Sequence, residues 1–166
     1  RGMGHQTRRA LRSTRAHISW IAAHSLISLG IKTPKPIAIL EQRIGPVRRH
    51  SYYVSEFVTG ATLRDFFNSD TIDFSTDPVA QQIASKLVDI FTLFKLAKIS
   101  HGDTKDTNFM IVNNDVFVID LDAVHFHRSN RSFKRAFDKD IQRFLRNWEN
   151  QPNIKTFFEK ELTPLL

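Results

Sequence analysis

The chain has 166 residues, 41% of them hydrophobic and none of them cysteine, so it is long enough for one core while disulfides and Cys-ligated zinc are excluded. A formal charge of +7 favours an anionic partner such as a phosphorylated substrate, an acidic membrane face or nucleic acid. No aromatic-interleaved basic run or recognisable binding module supports nucleic acid, which is therefore not expected as a partner.

From Arg8 to Leu29, the apolar positions Leu11, Ile18, Ile21, Ala22, Leu26 and Leu29 recur at roughly helical spacing, and Gly30 supplies a C-terminal stop. Arg8, Arg9, Arg12 and Arg15 make this helix basic. Its stretch Ile18 to Leu29 is broken by serines and His24 and is too short to span a bilayer. No signal-peptide pattern is visible, and the expected location is cytoplasmic. Two further basic clusters, Arg43 with Arg48 and Arg49, and Arg128 with Arg131, Lys134 and Arg135, each fit an ordinary solvated face.

Pro34 and Pro36 force extended backbone into a strand at Ile37 to Leu40, and a turn around Gly45-Pro46 leads to a second strand, Ser51 to Phe57. The connector Glu56-Phe57-Val58-Thr59-Gly60 then precedes a short helix around Leu63 to Phe67. Asp77-Pro78 opens a long helix with Ser75 or Thr76 as N-cap and a buried stripe of Val79, Ile83, Leu87, Ile90, Phe91 and Phe94. This helix delivers the chain to His101-Gly102-Asp103-Thr104-Lys105-Asp106-Thr107-Asn108.

Next come two short apolar runs, Phe109 to Val112 and Val116 to Ile119, around Asn113-Asn114-Asp115, whose residues tolerate the left-handed backbone of a tight hairpin. The second run ends at Asp120. Phosphoryl transfer needs a carboxylate to accept the proton of the attacking hydroxyl and oxygen ligands to hold a divalent cation against the phosphates. Asp103, Asn108 and Asp120 stand at the spacing that brings these groups together, and Lys105 would place an ammonium on the γ-phosphate. Asp and Asn are also ordinary turn residues, so the ordered set carries more weight than the His-Gly-Asp triplet alone. Beyond Asp120, His125 and His127 flank Phe126 at a spacing that suits a strand face. Phe133, Phe137, Ile141, Phe144, Leu145 and Trp148 form a helical core stripe, and a last helix lies near Ile154 to Leu162.

This order resembles the protein-kinase-like superfamily and, more narrowly, the lipopolysaccharide core kinases that phosphorylate inner-core sugars or Kdo. The stretches that carry the narrower resemblance are Leu29 to Pro36, Ser55 to Leu63, His101 to Asn108, and Val118-Ile119-Asp120-Leu121-Asp122. It implies an α+β, protein-kinase-like fold with a truncated N-terminal lobe and a mainly helical C-terminal lobe. Residues 1–166 would form a single domain, with 1–57 the remnant of the N-terminal lobe and 58–166 the lobe with the catalytic loop. It implies ATP and Mg²⁺ as cofactors, Asp103 as base, Asn108 and Asp120 as Mg²⁺ ligands, Lys105 as a phosphate contact and His101 as a brace. Asp122 would replace or assist Asp120. The connector would be the hinge, with backbone groups of Glu56 and Val58 reading an adenine edge.

The function so implied is ATP-dependent phosphoryl transfer to a hydroxyl of a lipopolysaccharide inner-core sugar, by a cytoplasmic kinase peripheral to an anionic inner-membrane face. The alternatives are a phosphotransferase for another small alcohol or an aminoglycoside, and a pseudokinase scaffold. Gly102 stands where protein kinases carry an Arg, and the short run from Asp122 to Phe133 has no room for an activation segment, which disfavours protein substrates. No acidic residue precedes Glu41, so no Lys-Glu pair of the nucleotide lobe can be assigned. The chain is accordingly expected to be a shortened version of a larger enzyme, with reduced activity.

Overall fold

In a computed structural model, residues 13–45, 47–68 and 73–166 are described. Helix α1 (Arg15–Ser28) starts at Thr14, whose hydroxyl accepts the His17 N–H. It ends where Gly30, at φ +79°, reverses the chain so that Ile31 N–H bonds back to Leu26 O and Gly30 N–H to Ile27 O. The expected start at Arg8 lies outside the described residues. The buried face differs from the expected stripe: it is Ala16, Ser19, Ala22, Ala23 and Leu26, while Ile21 and Leu29 are exposed. Small side chains let α1 approach the hairpin of β1 (Pro36–Ile44) and β2 (Val47–Ser55), which it packs against.

These two strands pair antiparallel, with Leu40 opposite Tyr52 and Glu41 opposite Ser51. Both extend further toward the turn than the apolar pattern indicated, because pairing resumes beyond an irregularity at Gln42, with Arg43 opposite Arg48 and Ile44 opposite Val47. Gly45, at φ +58°, begins the turn; Pro46 lies outside the described residues. The second strand stops at Ser55 rather than Phe57, although Glu56 N–H still bonds Lys35 O.

The rest is mainly helical. A two-residue strand β3 (Ala61–Thr62) runs into α2 (Leu63–Phe67), capped by the Thr62 hydroxyl. Helix α3 (Pro78–Ala97) is capped by Asp77, whose carboxylate accepts Val79 and Ala80 N–H. Asp77, rather than Ser75 or Thr76, caps it because the residue before Pro78 is held extended, the backbone an N-cap needs. Strand β4 (Ile99–Ser100) pairs with β7 (His125–Phe126), and β5 (Phe109–Val112) forms a hairpin with β6 (Asp115–Val118) through Asn113 and Asn114 at φ 50° and 61°. Helices α4 (Asn130–Arg146) and α5 (Pro152–Leu162) close the chain.

An aromatic core fixes where the β5–β6 hairpin sits. Phe91 of α3 meets Phe109 of β5 at 6.2 Å between ring centres and Phe144 of α4 at 4.9 Å. Phe144 in turn touches Phe158 of α5 at 4.9 Å, and Trp148 stacks on Phe158. Tilted, edge-to-face and stacked ring pairs of this kind add to the burial of each ring. The loop from His101 to Asn108 is thereby suspended between a rigid hairpin and α4.

Candidate active site

Gly102 adopts φ +85°, and a Cβ there would lie 2.8 Å from the Ala123 carbonyl oxygen, so the loop turns tightly against the segment after Asp120. Asp103 follows directly, one third exposed. The Asn108 amide nitrogen donates to the Asp103 carbonyl at 2.9 Å and lies 3.4 Å from Asp120 Oδ2. Ile119 N–H donates to Asn108 O at 3.0 Å, which ties the hairpin end to the loop. Asp120 itself takes a left-handed backbone (φ 58°), a conformation rare for a side-chain-bearing residue and concentrated at functional positions. The structure thus brings Asp103, Asn108 and Asp120 together.

His101 is buried, with Nε2 against the Ile119 carbonyl at 3.1 Å and Nδ1 facing Asp103 N–H at 3.4 Å. Accepting at Nδ1 leaves the proton on Nε2, and burial lowers the imidazole below its ordinary value. His101 is a neutral brace between loop and hairpin. Lys105 Nζ lies 2.8 Å from Asp103 Oδ2, and this hydrogen bond and charge raise the Lys105 ammonium above its usual range.

Glu56 is tied to the start of β1: its carboxylate accepts Lys35 N–H at 3.0 Å, and its own N–H donates to Lys35 O. This side chain holds the connector in place, so any role of Glu56 toward a ligand falls to its backbone carbonyl. Val58 is half-buried two residues on. No hydrogen bond or ion pair among the described residues joins either one to Asp103, Asn108 or Asp120.

Two positioning groups escaped the sequence pattern. Asp140 of α4 is buried and its carboxylate accepts His101 N–H at 2.6 Å and Gly102 N–H at 3.1 Å, while its carbonyl accepts the Thr104 hydroxyl at 2.6 Å. Burial pushes the Asp140 carboxyl up to about 6, against the pull of the two N–H donors. The signal for it was an acid inside the apolar stripe Phe137, Ile141, Phe144, a place that only a satisfied acid occupies. The second group is Asp106, also buried, which takes both arms of Arg64 at 2.8 Å each and so fastens α2 to the loop. No local signal marks this pair, whose members are 42 residues apart.

Fixed on the Asp103 carbonyl through its nitrogen, Asn108 has only its amide oxygen left for a cation, and Asp120 adds a carboxylate beside it. Two hard oxygen donors, one on buried Asn108 and one on exposed Asp120, suit a small divalent cation that completes its shell with water and phosphate. These residues therefore fit the group that the kinase pattern implies. Asp122, by contrast, faces Arg15 of α1 at 3.2 Å. His127 is held between Ser100 Oγ (2.8 Å) and Ser132 Oγ (2.9 Å), a structural setting, and no group of three or more His, Cys, Asp or Glu suited to a metal occurs among the described residues.

The family model described as "Lipopolysaccharide kinase (Kdo/WaaP) family" matches residues 3–163. Among solved structures, "WaaP in complex with acyl carrier protein" is similar in fold, with a TM-score of 0.58 at 18% identity over 90% of this chain and 76% of that one. No curated protein matches the chain.

Proposed function

Since the chain belongs to the lipopolysaccharide kinase (Kdo/WaaP) family, we propose that it transfers the γ-phosphoryl group of ATP to a hydroxyl of a lipopolysaccharide inner-core sugar, with Asp103 as the base. The observation that carries this assignment of roles is the bonded set of Asp103, Asn108 and Asp120, three oxygen-bearing groups that one loop and one hairpin hold in register. Asp103 takes the proton of the acceptor hydroxyl while that oxygen bonds to phosphorus. The bond from phosphorus to the bridging oxygen breaks, and its electron pair leaves on ADP. Lys105, beside Asp103, offsets negative charge on the moving phosphoryl group.

Asn108 and Asp120 would hold Mg²⁺, which when bound neutralises phosphate charge that would otherwise repel the acceptor oxygen. The engagement of Asp122 by Arg15 favours Asp120 as the carboxylate ligand. The backbone carbonyl of Glu56 and N–H of Val58 read the adenine edge. In this reading residues 1–57 are what the chain holds of the nucleotide lobe and residues 58–166 are the catalytic lobe, and the basic protein works against an anionic cytoplasmic membrane face.

Titration calorimetry with ATP, run with Mg²⁺ and with a chelator on the chain and on Asp120→Ala, tests the reading. Mg²⁺-dependent binding that weakens about tenfold or more in the variant is expected, as for loss of a charged ligand. Equal binding in all arms would overturn the assignment of Asp120.

A further inference from the structure

A cavity of about 370 Å³ opens beside the catalytic loop, between α2 and the end of α4. Its walls carry Arg64, Lys105, Arg143 and Arg146, and its one acid, Asp106, is already neutralised by the two-armed bond from Arg64. Arg143 Nε stands 3.8 Å from Asp103 Oδ1, and Lys105 binds the other oxygen, so two of the cavity's lining cations border the carboxylate of the proposed base, which lies just outside the lining. Asn108 meets Asp103 from its backbone side instead. Acceptor and cation would then approach Asp103 from different directions.

One further feature points to a ligand. Arg146 is exposed and has no ion pair among the described residues. An arginine free to offer a planar fork beside a second arginine is suited to a carboxylate or phosphate.

We infer that this cavity holds the acceptor saccharide and that Arg143 and Arg146 select one bearing an acidic group, carboxylate or phosphate, close to the hydroxyl that reacts. The inference rests on the kinase reading and adds to it the acceptor's charge and the residues that read it. An uncharged sugar would cover Arg146 without giving it a charge partner and leave Arg143 only its 3.8 Å contact with Asp103, which is how a charged pocket discriminates.

Calorimetric binding of three inner-core oligosaccharides decides it: one phosphate-free with its carboxylate intact, one phosphate-free with that carboxyl reduced to an alcohol, and one reduced but phosphorylated. At least one acidic form should bind about tenfold tighter than the uncharged form, and the tighter one identifies the group that is read. Arg146→Gln and Arg143→Gln should each lose this preference, whereas Arg131→Gln with Arg135→Gln, basic residues of α4 outside the cavity, should keep it. Melting curves confirm that the variants fold, and Arg146→Gln stands alone if Arg143→Gln does not. Equal binding of all three saccharides, or a preference that survives Arg146→Gln, overturns the inference. Mg²⁺·ATP binding measured on the same samples separates the two claims: its absence beside an intact acidic preference would sink the kinase reading alone, and its presence without any preference would sink only the acceptor site.

Discussion

Asp140 holds the loop that presents Asp103, and it does so as a buried carboxylate whose proton affinity is raised to about 6. The sign of the linkage follows from its ordinary value of 3.8: the folded state binds this proton more tightly than the unfolded one. Charged Asp140 thus costs stability above pH 6, on the order of 3 kcal/mol from the shift, and that cost fades as pH falls toward the unfolded value. Function runs the other way, because a protonated carboxyl accepts the His101 and Gly102 N–H groups more weakly. The turnover rate should therefore decline as pH drops through about 6. Asp140→Asn should show a rate lowered at neutral pH by about tenfold to a hundredfold, with that decline absent, and a melting temperature that gains on the native protein as pH rises. A decline that persists in Asp140→Asn would assign it to another group. Asp103, Asn108 and Asp120 were legible from spacing alone because one loop and one hairpin join them. Asp140 was not, since its partners lie 38 and 39 residues away and only its place in an apolar stripe hints at them.

Elements differ in how plainly their residues announce them. The long helix α3 and the β5–β6 hairpin follow from apolar periodicity and turn chemistry; α3 and β5 stand where expected, while β6 starts one residue early because Asp115 pairs with Val112 instead of joining the turn. The face of α1 did not follow, because alanine and serine are buried where the helix packs on the β1–β2 hairpin and the Leu121–Ala123 segment, while larger Ile21 and Leu29 stay outside. Periodicity weighted by side-chain size misses a helix that needs close approach. The cap of α3 carries its own prediction: Asp77→Ala should cost about 1 kcal/mol, read as a shift in the denaturant midpoint. A sharper prediction concerns Gly60, between the connector and β3, where an added Cβ would collide with the Ile111 carbonyl and lie 2.9 Å from Val112 Cγ2. Gly60→Ala should push β3 from β5, destabilise by about 1–3 kcal/mol and weaken ATP binding through Val58. Unchanged stability and nucleotide affinity in that variant would show that the connector does not depend on this close approach.

At the scale of the whole molecule, charge and core play separate parts. The core fixes the loop from His101 to Asn108 through Phe91, Phe109 and Phe144, and Phe144→Ala should cost about 3–5 kcal/mol and unfold much of the protein in vivo. The charge of +7 acts at longer range. No helix among the described residues is long and apolar enough to cross a membrane, so contact with an anionic lipid face would be electrostatic, at about 1 kcal/mol for each well-placed Lys or Arg. Co-sedimentation with vesicles should rise with their anionic lipid content and fall several-fold as salt shortens the screening length; binding indifferent to both would remove the membrane from the proposal. The most direct measurement is transfer of labelled γ-phosphate from ATP to a lipopolysaccharide core saccharide, by the native chain and by Asp103→Asn. Labelled saccharide from the native chain, about a thousandfold less from the variant, and equal Mg²⁺·ATP affinity in both are predicted. Equal transfer by Asp103→Asn, or no labelled saccharide from a native chain that binds Mg²⁺·ATP, would contradict it.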